Sequence, residues 1–266
     1  MAVLLLLTGG RSAHLGTIQD ASFRSTALRG MLHYVVYLPP DYAQSQRRYP
    51  VVYFLHGLPA SPYAYRGIGF VVNALEQLKS EAIVIAPQGA RDGDSDPEYL
   101  DWGPGRNWET AIGTELPRIV DGRYRTIADR RGRALVGLSA GGYGAVLLAL
   151  HHLDSFSVME SWSGYFQPTN PAGTQVIPHT PAQSAHTLVP TLRRDMKRRP
   201  TFFAFYVGRG DDRFRDENEQ LDRKLSAAGV PHLFRLYPGA HEQTVWTAHA
   251  RAWLGLALDH LAAPTP

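Results

Sequence analysis

Residues 133–150, reading Arg-Ala-Leu-Val-Gly-Leu-Ser-Ala-Gly-Gly-Tyr-Gly-Ala-Val-Leu-Leu-Ala-Leu, limit the folds open to this chain more than any other stretch. The apolar run 134–138 has the length of a buried strand, and the Ala- and Leu-rich segment 143–150 has the composition of a helix. Between them stands Gly137-x-Ser139-x-Gly141. A strand that turns into a helix so abruptly brings two backbones close together, which glycine allows because it has no Cβ. The Ser between the two glycines is then held in a strained conformation with its hydroxyl exposed. The start of the following helix favours negative charge beside that hydroxyl. The Gly-x-Ser-x-Gly pattern alone also occurs in ordinary loops; the strand before it and the helix after it give it chemical meaning.

The rest of the chain supplies a sheet for that turn. Patterning predicts strands at 21–26, 31–38, 50–57, 82–87, 134–138, 156–162, 201–208 and 232–237, with residues 27–30 closing a hairpin between the first two. Helices are predicted at 66–78, 108–124, 143–150, 188–199, 214–228 and 242–261, with Pro117 kinking the second or starting a new one. Continuous apolar strands such as 50–57 and 82–87 belong to a sheet covered on both faces. Strands alternating with helices imply an α/β fold with a mainly parallel central sheet. No repeat or linker interrupts the pattern. Residues 21–262 therefore read as one domain, with 1–20 as a tail or remnant of an export signal and about 165–200 as a lid or pocket-wall excursion.

Composition excludes several classes. The chain has no cysteine, which removes disulfides, thiolate catalysis and Cys-ligated metal. A net charge of +3 gives no reason to expect nucleic acid, and the Arg-rich stretches 123–133 and 193–199 read as solvated faces. No stretch reaches the roughly 18 apolar residues of a membrane span. Residues 1–7 look like the end of an export signal's apolar core but lack a basic flank, so an apolar tail is the other reading. A secreted or cell-envelope location is the expectation. In the long loop 88–107, Asp92-Gly93-Asp94-Ser95-Asp96 invites a calcium reading. Pro97 and Gly103 stand where an EF-hand loop needs Gly and Glu, so a plain polar turn and no metal are expected.

A nucleophilic Ser139 needs a base, and the base needs an acid to orient it. In the chain order Ser, acid, His, the acid falls after the strand 201–208, where Asp211 and Asp212 stand side by side. Either could instead cap the next helix; the Gly-x-x-Asp spacing prefers Asp211 as the acid. The His falls after 232–237, where His241 follows Pro238-Gly239-Ala240, against the bland reading of a surface histidine. His56 reads as structural. Backbone N–H groups of Leu58 and Ala140 are the candidate donors to a developing oxyanion. Trp102, Trp108 and Tyr165 suggest an aromatic substrate pocket, and core packing explains them equally well.

Tyr-Leu-Pro-Pro-Asp-Tyr (37–42), Leu-His-Gly-Leu (55–58), Gly-Leu-Ser-Ala-Gly-Gly-Tyr-Gly-Ala (137–145), Gly-Arg-Gly-Asp (208–211) and Pro-Gly-Ala-His-Glu-x-x-x-Trp (238–246) jointly resemble the esterase D branch of the α/β-hydrolases. That branch includes feruloyl and acetyl esterases, S-formylglutathione hydrolases and mycolyltransferases, and the similarity spans about residues 22–258. The resemblance implies an α/β-hydrolase fold and a serine carboxylic-ester hydrolase acting on a small-molecule ester through an acyl-enzyme, without cofactor. It implies Ser139 as nucleophile, Asp211 as acid, His241 as base, Leu58 and Ala140 as oxyanion hole, and Trp246 as a structural support near His241. Many members carry Met after the Ser, where this chain has Ala140, a change that widens that side of the pocket. Mycolyltransferases use Glu as the acid and carry a Cys near the site, and this chain does neither. The alternatives are acyl transfer to an alcohol from the same acyl-enzyme, and a non-catalytic binding module on the same fold.

Overall fold

The structure is a computed structural model and describes residues 15–58, 61–91, 99–170 and 174–266. Among them, eight strands form one sheet: β1 (Thr17–Ser25), β2 (Gly30–Leu38), β3 (Val51–Leu55), β4 (Ile83–Pro87), β5 (Arg133–Leu138), β6 (Val158–Trp162), β7 (Phe202–Gly208) and β8 (Leu233–Tyr237). Their spatial order is β1-β2-β4-β3-β5-β6-β7-β8. The β1–β2 and β2–β4 pairs are antiparallel, and every pair from β4 to β8 is parallel. The helices are α1 (Gly69–Leu78), α2 (Trp108–Thr110), α3 (Leu116–Arg123), α4 (Ala140–His151), α5 (Ala185–Arg198), α6 (Arg215–Ala227) and α7 (Gln243–Asp259).

Because successive strand residues point to opposite faces, one apolar strand feeds two cores. In β3, Val51, Tyr53 and Leu55 join the core under α2 to α6, while Val52 and Phe54 join the core under α1 and α7. This explains why the parallel strands read as unbroken apolar runs instead of alternating ones. Parallel strands also end at one common edge. The loops after β3, β5, β7 and β8 therefore open together.

Several boundaries differ from the sequence expectation. β1 starts at Thr17, inside the stretch assigned to the tail, because its first residues still pair with β2 (Thr17 with Leu38). α4 starts at Ala140, three residues before the predicted helix. Glycine lowers helix propensity, but here Gly141 and Gly142 lie where a side chain would strike Leu55 O and Ser161 Oγ, so packing decides the start. Of the two alternatives for Pro117, starting a new helix holds: the turn Ala111–Glu115 is widened to i→i+5 bonding and leads directly into α3, which holds Pro117 at its N-terminus. α5 extends N-terminally to Ala185 and carries Pro190 inside it. The Asp92–Asp96 turn and the apolar run 1–7 lie outside the described residues. Among the described residues no helix is long and apolar enough to cross a membrane, and no cluster of three metal-ligating side chains occurs.

Candidate active site

The turn from β5 into α4 sits at the carboxyl edge of the sheet. Ser139 there has φ 53° and ψ −122°, a conformation that costs a non-glycine residue about 1–3 kcal/mol and persists only where its surroundings enforce it. The enforcement is visible. A Cβ at position 137 would lie 2.1 Å from Gly141 O, and one at position 141 would lie 2.0 Å from Leu55 O. Ser139 N donates to Trp162 O at 2.9 Å, which ties the turn to the end of β6. The side chain is thereby presented above the sheet.

His241 reaches it from the loop after β8. Its Nε2 lies 2.9 Å from Ser139 Oγ, and its Nδ1 lies 2.7 Å from Asp211 Oδ2. With the ring proton on Nδ1 and donated to Asp211, Nε2 is left to accept the hydroxyl proton. The acid and His loops are joined by backbone bonds: Arg209 N donates to Tyr237 O and Gly210 N to Gly239 O, both at 2.8 Å. Asp211, not Asp212, makes the contact; the Asp211 side chain is fully enclosed, whereas Asp212 is exposed. The capping alternative proves compatible with it. Asp211 Oδ1 accepts the N–H groups of Arg213 and Phe214 at 3.3 and 3.2 Å, while Oδ2 serves His241. Rings close the imidazole in: Phe214 stands 5.1 Å from it and Trp246 meets it edge-on at 5.1 Å.

The turn after β3 lies against the same side chain. A Cβ on Gly57 would stand 2.9 Å from Ser139 Cβ, so only glycine lets this turn come so close. Leu58 follows it and packs on a cluster formed by Leu100, Ala140, Tyr143, Leu147, Tyr165, Val207 and Phe214. Ala140 N–H belongs to the first turn of α4 and has no acceptor within that helix.

Of the aromatic candidates, Trp102 packs on this cluster and Tyr165 lies within it, stacked on Tyr143 at 5.3 Å and close to Phe214 at 4.8 Å. Trp108 does not belong there. It is 1% exposed in the main core under the sheet; Tyr165 is just as buried, its ring covered by Tyr143 and Phe214, so of the three only the half-buried Trp102 keeps a face that a ligand could touch. Sequence reasoning missed Phe214 and Tyr143. Phe214 had a readable signal, since it stands three residues after Asp211 at the start of a helix; Tyr143 had one in its position four residues after Ser139.

This strand order, with a Ser on the strained turn after β5 and a His and an Asp meeting it from later loops, defines an α/β-hydrolase. The chain belongs to the esterase family described as "Putative esterase", whose model matches residues 25–252. It is similar to Esterase Rv1288 of Mycobacterium tuberculosis, 35% identical over 130 residues that make up 48% of this chain and 28% of that protein. It is similar also to the diacylglycerol acyltransferase/mycolyltransferase Ag85A of Mycobacterium leprae, 31% identical over 138 residues, 48% of this chain and 40% of that one. These matches thus cover less than half the length of either relative. Among solved structures, a ferulic acid esterase superposes with TM-score 0.77 at 25% identity, covering 93% of this chain and all of that one.

Proposed function

We propose that the protein is a serine carboxylic-ester hydrolase that works through an acyl-enzyme on Ser139. The observation that carries this reading is the unbroken hydrogen-bond line Ser139 Oγ, His241 Nε2, His241 Nδ1, Asp211 Oδ2, at 2.9 and 2.7 Å. His241 takes the hydroxyl proton as Ser139 Oγ attacks the ester carbonyl, and Asp211 keeps the ring in the tautomer that can accept it. The carbonyl oxygen becomes an oxyanion. The N–H groups of Leu58 and Ala140 stabilise it, each by about 3 kcal/mol of barrier. His241 then gives its proton to the leaving alcohol, and water, deprotonated by the same ring, releases the acid. Every step uses the chain's own groups. Trp102 and Leu188 wall the substrate side of the site in this reading, supported by their packing on the cluster that holds Ala140 and touches Leu58.

Hydrolysis of a short p-nitrophenyl ester by Ser139→Ala tests the assignment. A loss of about 10³-fold or more is expected; activity within tenfold of wild type contradicts it. The similarity to a protein named as an acyltransferase favours one second reading, in which an alcohol replaces water at the acyl-enzyme. Product partition between free acid and acylated sugar, measured with added sugar acceptor, separates the two. For location, the apolar run 1–7 supports export or cell-envelope association, which fractionation of the producing cell tests.

A further inference from the structure

The oxyanion donor assigned to Leu58 is a single backbone N–H on a loop, and something must aim it. In a trans peptide the C=O of one residue and the N–H of the next point in opposite directions. Whatever holds Gly57 C=O therefore fixes the direction of Leu58 N–H. That carbonyl is held by the neighbouring side chain: His56 Nδ1 lies 2.8 Å from Gly57 O.

The direction of this bond is settled by the other ring nitrogen. Gly89 N–H donates to His56 Nε2 at 3.1 Å, so Nε2 is the acceptor and the single ring proton sits on Nδ1, from which it is donated to Gly57 O. Burial favours the neutral ring, since His56 is 6% exposed and desolvation lowers its proton affinity. The preceding peptide is held as well. Tyr99 Oη donates to His56 O at 2.6 Å, and the Tyr99 ring stands 6.0 Å from the imidazole. Both carbonyls of the turn are thus gripped, one by Tyr99 and one by His56, while Gly89 anchors the imidazole to the end of β4.

We infer that His56 is a positioning residue for the reaction: its neutral Nδ1–H tautomer holds Gly57 C=O and thereby aims Leu58 N–H at the developing oxyanion. This rests on the hydrolase reading above, and the test separates the two. An Asn side chain ends in an amide whose nitrogen can take the place of Nδ1, whereas the Gln amide extends to the region of Nε2. His56→Asn keeps a donor for Gly57 C=O; His56→Gln keeps a partner for Gly89 and loses that donor.

The experiment measures kcat, KM, thermal midpoint and the inhibition constant of an alkyl trifluoromethyl ketone, which forms an oxyanion on a nucleophilic Ser, for wild type, both variants and Ser139→Ala. For His56→Gln the expected result is a kcat lower by about 10- to 100-fold, less than the 10²–10³ for deleting a donor outright. Its KM should stay within about twofold, and the ketone should bind more weakly by the same factor as kcat falls. His56→Asn should recover kcat to within about threefold of wild type. The inference is overturned if His56→Gln turns over at the wild-type rate. It is equally overturned if both variants lose kcat alike in step with their thermal midpoints, since that pattern belongs to a merely structural residue. Persistent activity in Ser139→Ala would instead strike the hydrolase reading itself, which the His56 variants alone do not touch.

Discussion

Two buried carboxyl groups on neighbouring strands of the same sheet are treated in opposite ways. Asp211, just beyond β7, accepts His241 Nδ1–H on one oxygen and two backbone N–H groups on the other. Glu160, inside β6, is 0% exposed and accepts from Trp162 Nε1 at 3.1 Å on Oε2; among the described residues its Oε1 has no partner. Burial pushes the Glu160 carboxyl well above the usual carboxylate range, and the Trp162 bond opposes this only in part. Burial thus favours the protonated form of Glu160. The difference is positional. A strand's own N–H groups are committed to its neighbours, so a carboxylate inside a sheet finds few donors, whereas a turn leading into a helix has N–H groups to spare. In the hydrolase reading, the carboxyl group that orients His241 stands on such a turn.

Glu109, in α2, stands between these extremes. Burial pushes its carboxyl up, but the hydrogen bonds and charges of His151 and His152 outweigh burial and hold it at about 2; His151 Nδ1 lies 2.6 Å away. The partners come from the C-terminus of α4 instead of from a turn. Side-chain donors can thus satisfy a half-buried carboxyl group as backbone N–H groups satisfy Asp211 Oδ1.

The sharpest way to break the contrast is Asp211→Asn. Asn retains an oxygen for the Arg213 and Phe214 N–H groups and puts an amide N–H where Asp211 Oδ2 accepts from His241 Nδ1. A fall in kcat of about 10⁴-fold is expected in steady-state assays; a fall of less than tenfold would reduce Asp211 to a helix cap. Next in size is Glu109→Gln. The Glu109 value is depressed, so its contribution is present above pH 4.5 and lost as pH falls towards 2. The His151 value is raised, chiefly by its bond to Glu109, so its contribution is present below pH 6.5 and lost as pH rises through the folded value. Denaturant unfolding should therefore show a loss of about 1–2 kcal/mol near pH 5.5 and a smaller one at pH 8.5.

Glu160→Gln should act with the opposite sign. The unfolded chain ionises this group near 4.5, while burial raises it in the folded chain, so wild type loses stability as pH rises above that point. The variant should melt about 2–4 °C higher at pH 8, the size of one kcal/mol in a chain of this length, with no gain at pH 4. A gain that grows towards low pH would mean that Glu160 is ionised. Smallest of all is Asp212→Asn. Its side chain is exposed, and kcat should stay within about twofold in the same assay that registers Asp211→Asn.

The sheet was legible because strands buried on both faces announce themselves as runs such as 51–55 and 134–138, and the helices between them fill the gaps. The start of α4 was not legible. Its glycines weaken a helix locally, and only the contacts of Gly141 with Leu55 show why the helix begins there. For the candidate site, Ser139, Asp211 and His241 stand at motif positions, and the fold brings the three together. Trp108 was open between pocket and core because composition reports an aromatic residue and not the face of the sheet it enters; it lies in the core. His56 read as structural because its significance lies in which carbonyl it grips and in a partner, Gly89, 33 residues away.

The central claim is that Ser139 carries the acyl group during turnover. Rapid acid quench of wild type with a p-nitrophenyl ester, followed by peptide mass spectrometry, measures this directly. The acyl mass should appear on the peptide containing Ser139 within the first turnover and be absent from Ser139→Ala. Turnover at the wild-type rate with the acyl mass elsewhere, or with none on that peptide at any quench time, would contradict it.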